Sequence, residues 1–346
     1  MAKTYLIGEI GQNHNGSVDL AKLLIDNAAQ PVKDNLFDNE LQPWDAVKLT
    51  KRDLNEELSA SAMNNPYNSP HSFGKTYGEH RAKLELNDAQ HYELYRYAKD
   101  KGLDFVETLC AIGCLSMLKL FTPDRLKVAS RDLTNLPLLN AMAETNIPII
   151  FSTGMGGEKE IDDALDIITK HHSQVTILHC LSQYPSEYKN INLNSIHYLK
   201  QKYSDFEIGY SDHSIGIAIP LAAVAMGAST IEKHITLDRK MKGTDQAGSL
   251  APDGMHRMVR DIRNLELAFG EVKKERSEAV LAAKVKLERS VATKRNMRAG
   301  DVVGLDDIHL LSPGDGFQWA DRDAIIGKKL INDLSANEVI YKEAVE

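Results

Sequence analysis

Eight short apolar runs, each separated from the next by a stretch long enough for a helix, constrain this chain more than any other feature. They are YLIGEIG (5–11), DAVKLT (45–50), DFVETL (104–109), RLKVAS (125–130), PIIFSTG (148–154), VTILHCL (175–181), FEIGYSDH (206–213) and STIEKHIT (229–236). Runs of this length, rich in β-branched residues and apolar on successive positions, read as strands buried on both faces, which is the habit of parallel sheets. The segments between them carry helical periodicity. LNDAQHYELYRYAKDKG closes on a glycine, and DGMHRMVRDIRNLELAFG sets Met255, Met258, Val259, Ile262 and Leu265 on one face. The expected fold class is therefore α/β, a (βα)8 TIM barrel. The competing arrangement, an open doubly wound sheet, ordinarily carries a glycine-rich dinucleotide fingerprint after its first strand, and none follows YLIGEIG.

A barrel makes a prediction about chemistry. Reactive side chains should gather where strands end, because the site of such folds lies at the C-terminal rim. Glu9 lies near the end of the first run, Lys48 in the second, Thr108 at the end of the third, and Lys127 and Ser130 in the fourth. Ser152 closes the fifth, Ser182 and Tyr184 follow the sixth, Ser211, Asp212 and His213 end the seventh, and Glu232 and His234 lie in the eighth. His213 and His234 terminate neighbouring runs, so they can meet at one point. Two imidazoles that leave positions for water and substrate suit a divalent ion acting as a Lewis acid, although each can also be a hydrogen-bonded rim residue. A lysine in an apolar strand must emerge at the rim or find an anion. Lys48 and Lys127, with nearby hydroxyls and the STGMGG turn, point to a phosphate or carboxylate; pairing with acids across the barrel and a Schiff-base lysine are the alternatives.

Composition narrows the class. A formal net charge of −8 over 346 residues gives no basic footprint for nucleic acid. No run reaches the ~18 apolar residues of a membrane helix, and the N-terminus lacks a signal-peptide pattern. Three cysteines, Cys110, Cys114 and Cys180, do not make a disulfide framework and favour the cytoplasm; zinc on Cys110, Cys114 and His179 would lack the usual close pair.

Read in order, IGEIGQNHNGS, AVKLTKR, LKVAS, FSTGM, LHCLSQYP, IGYSDHSIGI, IEKHITLDR and KGTDQAGSLAPDG resemble the successive blocks of the N-acetylneuraminate (sialic acid) synthase family over essentially the whole chain. The resemblance implies condensation of phosphoenolpyruvate with an N-acylated hexosamine aldehyde, N-acetylmannosamine or its 6-phosphate, to a nonulosonic acid with release of phosphate. It implies that Lys48, Thr108, Lys127, Ser130, Ser152 and Ser211 hold phosphoenolpyruvate. His213 and His234 would hold a divalent metal, Mn²⁺ first, with Mg²⁺, Co²⁺ or Fe²⁺ as alternatives. Glu9, Tyr184 and Asp245 would contact the sugar, and Glu232 would act near the attacking water, making Glu232, Lys127 and Glu9 the catalytic candidates. Leu181 and Ser182 stand where the family commonly has threonine and asparagine, which weakens the phosphate contact at Ser182.

The expected organisation is a barrel over 1–270, a charged helical linker over 271–288, and over 289–346 a small β-rich segment that resembles the antifreeze-like (SAF) domain of these synthases. In the family that domain covers a partner's barrel, so the resemblance implies a domain-swapped homodimer. This chain reads SPG at Ser312 where relatives often read RPG and use the arginine on the sugar. The segment 51–86 is too long for an ordinary loop. Lys75, His80 and Arg81 in it offer either a second phosphate site or a structural flap. Two readings of other classes remain beside the synthase: a Schiff-base aldolase or lyase on Lys127, and a non-catalytic sugar-binding protein.

Overall fold

The computed structural model describes residues 3–34 and 39–346. Eight parallel strands close into a barrel: β1 (Tyr5–Gly11), β2 (Ala46–Lys51), β3 (Asp104–Leu109), β4 (Arg125–Val128), β5 (Ile149–Ser152), β6 (Val175–Cys180), β7 (Glu207–Asp212) and β8 (Thr230–His234). Each coincides with one of the eight runs. Strand β8 pairs with β1, Glu9 lying opposite His234 on one side and opposite Lys48 on the other. Further pairings set Thr108 beside Lys127 and Ser211 beside Glu232. The register alone thus lays a ring of polar residues at one height.

Seven helices cover the barrel: α1 (Val18–Ala29), α3 (Asp88–Asp100), α4 (Leu136–Ala143), α5 (Glu158–Ile168), α6 (Ser195–Lys202), α7 (Ala218–Ala225) and α8 (Pro252–Ala268), while α2 (Tyr77–Leu84) belongs to the long segment after β2. After β3 the expected α-helix is replaced by a 3-10 segment, Ile112–Lys119. Helix α3 starts on a capping box between Asn87 and Gln90 and stops at Gly102, whose φ of 79° only a residue without Cβ adopts easily. Helix α8 begins with Pro252 at its first turn and buries Met255, Met258, Val259 and Ile262, each worth about 1.5–3 kcal/mol of transfer free energy. From the same face the Arg263 guanidinium reaches Asp45 at 2.6 Å and the Thr4 carbonyl at 2.8 Å, tying the last helix to the entrances of β1 and β2.

The apolar core has two parts. A large layer lies between strands and helices, while inside the barrel Ile7, Ala46, Val106, Ile150 and Leu178 form a small plug. These five alternate along their strands with residues that face the helices, and the next inward position is Glu9, Lys48, Thr108 and Ser152 on four of the strands and the thiol of Cys180 on the fifth.

The chain divides into two compact units, Met1–Gly270 and Glu271–Glu346. The second has its own core of Val291, Met297, Val303, Ile308, Ile325, Leu330, Ile340 and Ala344 around the antiparallel pair β9 (Ser290–Thr293) and β10 (Ile308–Leu311). The segment expected as a helical linker is helical only late, as a 3-10 turn Glu278–Val280 and a helix Leu281–Leu287. The preceding EVKKERS offers no apolar face for a helix to bury.

Candidate active site

The mouth of the barrel opens into a cavity of about 510 Å³. Of the residues expected from the sequence, Glu9, Lys48, Thr108, Lys127, Ser130, Ser152, Ser182, Tyr184, Ser211, His213, Glu232, His234 and Asp245 line it, whereas Asp212 is buried in an ion pair with Lys233 at 2.5 Å. Eight strands and the loops after them deliver these groups to one place.

At the floor three buried ionisable groups interlock. The Lys48 ammonium pairs with Glu9, lies 3.7 Å from Glu232, and donates to the Thr108 hydroxyl at 3.0 Å. Glu232 also accepts from Ser211 at 3.0 Å. Burial alone would raise the Glu232 carboxyl, but Lys48 and Lys127 outweigh it and bring the group down to about 2, so it is ionised at neutral pH. Glu9 goes the other way. Burial, reinforced by the Glu232 charge and only partly offset by Lys48, raises it to about 7. Two neighbouring carboxylates therefore differ in protonation because their surroundings differ.

Lys127 occupies the opposite situation to Lys48. Its ammonium donates to Ser152 at 2.7 Å and to the Val128 carbonyl at 2.7 Å, and burial lowers its pKa. Above it the Ser130 hydroxyl accepts from the Gly154 N–H at 3.0 Å. A Cβ on Gly154 would sit 2.4 Å from the Ser182 hydroxyl and 2.9 Å from that of Ser130, so the turn needs glycine for two hydroxyls to converge there. Ammonium and hydroxyls together make a cradle suited to an anion.

The two imidazoles face each other on β8 and just after β7, with ring centroids 5.6 Å apart. His213 donates through Nδ1 to the Leu181 carbonyl at 2.9 Å, which leaves the lone pair of Nε2 free. The Nδ1 of His234 is buried without a hydrogen-bond partner, and burial lowers the pKa of the ring, favouring the neutral form that binds metals. Tyr184 packs over His213 at 4.0 Å between centroids. Among the described residues no three His, Cys, Asp or Glu side chains converge as a ligand set. The donor set fits a divalent ion that takes two imidazoles from the protein and oxygen from water and substrate. The zinc alternative does not fit: Cys110 and Cys114 are buried free thiols, and His179 is spent on the Ile191 carbonyl at 2.7 Å.

Two arginines in the wall were not anticipated. Arg52, after β2, and Arg131, after β4, both pair with Glu57, at 2.6 and 2.9 Å. Arg131 directly follows the run that ends at Ser130 and Arg52 lies two positions past the run that ends at Thr50, so the rim rule extended by two positions would have found them. Of the candidates in the long segment, Arg81 lines the cavity. His80 is buried among Tyr67, Phe73 and Tyr77, and Lys75 is not part of the lining.

A closed (βα)8 barrel with a metal-competent histidine pair beside an anion cradle defines a class of enzyme-like scaffold. Comparison with known proteins places it further: residues 42–274 match the NeuB family and residues 288–346 the SAF domain. The chain is 33% identical to human N-acetylneuraminate-9-phosphate synthase, over 99% of its own length and 92% of that protein. It is 32% identical to N,N'-diacetyllegionaminic acid synthase of Legionella pneumophila, over 99% and 94%. A crystal structure of N-acetylneuraminic acid synthetase from Leptospira borgpetersenii superposes with a TM-score of 0.66 at 33% identity, covering 82% of this chain and 90% of that one. The chain belongs to the NeuB family.

Proposed function

We propose that the protein is a synthase that condenses phosphoenolpyruvate with an N-acylated hexosamine aldehyde, forming a nonulosonic acid and releasing phosphate. The observation that carries this is the pairing, in one cavity, of a lysine–hydroxyl cradle around Lys127 with two imidazoles free to take a metal. The names of the relatives, synthases of N-acetylneuraminate 9-phosphate and of a legionaminic acid, support the same reaction type.

Lys127, Ser130, Ser152 and Ser182 would bind the phosphate and carboxylate of phosphoenolpyruvate and aim its C3 at the aldehyde carbon. His213 and His234 would hold a divalent ion, Mn²⁺ foremost, which supplies Lewis-acid polarisation of the aldehyde oxygen. Glu9, raised to about 7 and so partly protonated at neutral pH, is placed to give a proton to the oxygen that becomes a hydroxyl. Glu232, fully ionised but a weak base, orients the water that adds at C2 as positive charge grows there, and the proton that this water sheds restores Glu9, left as a carboxylate by the first transfer. The resulting tetrahedral carbon expels phosphate by C–O cleavage. Tyr184 and Asp245 would receive the sugar's hydroxyls and acyl group. A Schiff base on Lys127 is disfavoured by its engagement with Ser152 and Val128.

The functional unit in this reading is a domain-swapped homodimer. Three free cysteines support a reducing, cytoplasmic setting. Among the described residues no helix is long and apolar enough to cross a membrane. The decisive experiment is a phosphate-release assay with phosphoenolpyruvate and N-acetylmannosamine or its 6-phosphate. Release should require both substrates, cease after exhaustive chelation, and return with Mn²⁺. Release unaffected by chelation, or persistence of activity in His234→Ala, would remove the metal, and borohydride trapping of a keto acid on Lys127 would replace the mechanism.

A further inference from the structure

Five cationic side chains line the cavity: Lys48, Arg52, Arg81, Lys127 and Arg131. Lys48 is matched by Glu9 and Glu232, and the arginines 52 and 131 share Glu57. Of these five, only Lys127 and Arg81 have no carboxylate of a described residue within 4 Å. A cation that faces a cavity without a counter-charge is a receptor for a ligand's charge. For Lys127 the cradle of hydroxyls identifies that ligand as phosphoenolpyruvate. Arg81 lacks such an assignment.

Its position and bonding say what it would meet. Arg81 lies on α2 of the long segment after β2 and hydrogen-bonds to Gln12, just beyond β1. The Tyr77 hydroxyl accepts from its Nε at 2.9 Å and from Nη2 at 2.7 Å, and its guanidinium lies 4.9 Å over the Tyr77 ring. Every one of these partners is neutral. They fix the plane of the guanidinium while leaving its charge uncompensated and N–H groups on Nη1 and Nη2 to spare. Strand β4, which bears Lys127, is across the closed barrel from β8, which bears His234, while Arg81 reaches the same cavity from the side of β1 and β2.

We propose that Arg81 is a specificity-determining residue that binds a phosphate monoester at the far end of the second substrate. The inference rests on the condensation reading for its geometry. With the aldehyde carbon near the histidines and phosphoenolpyruvate against Lys127, the remaining length of a hexosamine can run toward the β1 and β2 side of the cavity, where Arg81 waits. A planar guanidinium held by tyrosine matches two phosphate oxygens at once. Tyr77 acts as its positioning residue.

The test titrates the full-length protein calorimetrically with N-acetylmannosamine, N-acetylmannosamine 6-phosphate and phosphoenolpyruvate, in wild type, Arg81→Met and Arg81→Lys. Wild type should bind the 6-phosphate at least about tenfold tighter than the free sugar, as one charge-assisted contact supplies. The preference should vanish in Arg81→Met, return in part in Arg81→Lys, and leave phosphoenolpyruvate affinity within about twofold in both. Equal binding of the two sugars by wild type, binding of neither, a preference that survives in Arg81→Met, or a matching loss of phosphoenolpyruvate affinity would each overturn the proposal. A preference for the 6-phosphate without any phosphate release from phosphoenolpyruvate would uphold Arg81 and sink the condensation reading instead.

Discussion

Glu9 and Glu232 share Lys48, and the sharing is unequal. A carboxyl whose folded-state pKa is raised keeps its proton in the native state after the unfolded chain has released it. Between the ordinary value of 4.5 and the native value of about 7, the unfolded state of Glu9 binds fewer protons, so stability falls as pH rises through that window. Thermal unfolding of Glu9→Gln should lack this slope. The difference in Tm between the variant and wild type should grow in the variant's favour from pH 4.5 to pH 7, while synthase activity drops. A constant difference across that range would show that Glu9 is not held protonated. Glu232, depressed to about 2, behaves in the reverse sense. Its contribution is complete above 4.5 and is lost only as pH falls toward 2.

The strands were the most legible elements. Each of the eight runs became a strand because a strand buried on both faces needs an unbroken apolar sequence, and few other elements of that length do. Their ends told more than their middles. RLKVAS leaves the sheet at Val128, and Ser130 begins a 3-10 turn that aims its hydroxyl at Gly154. The antiparallel pairing of Val32–Asp34 with Asn39–Leu41 was not anticipated, since three-residue strands carry no period to read. Arg52 and Arg131 escaped notice for another reason: they act through Glu57, a partner distant in sequence from Arg131 that only folding brings near. The turn after β5 supplies a prediction at this scale. Gly154→Ala forces its new methyl against Ser182 and Ser130. The KM for phosphoenolpyruvate should rise at least about tenfold, the loss of one charge-assisted contact, with the circular dichroism spectrum unchanged. An unaltered KM would mean that the two hydroxyls do not hold that substrate.

At the scale of the molecule, two cores that share no residue suggest that the barrel unit can stand alone. A chain ending at Gly270 should be soluble and unfold cooperatively, yet turn over far more slowly than the full chain if a partner's terminal domain completes the site. Mixing it with full-length Lys48→Ala should restore part of the activity, because the intact barrel of one can receive the terminal unit of the other. Sedimentation of the full chain as a fully active monomer would contradict the swapped arrangement.

The plug inside the barrel carries a consequence for how such a protein changes over generations. Five apolar side chains, Ile7, Ala46, Val106, Ile150 and Leu178, separate the polar chamber from the lower half of the barrel, and the larger packed layer lies outside the strands altogether. Selection on chemistry and selection on folding therefore act on different sets of positions. Rim residues such as Ser182 can be exchanged with little penalty to the scaffold. A lineage built this way can try new sugars one loop at a time while inheriting the same barrel.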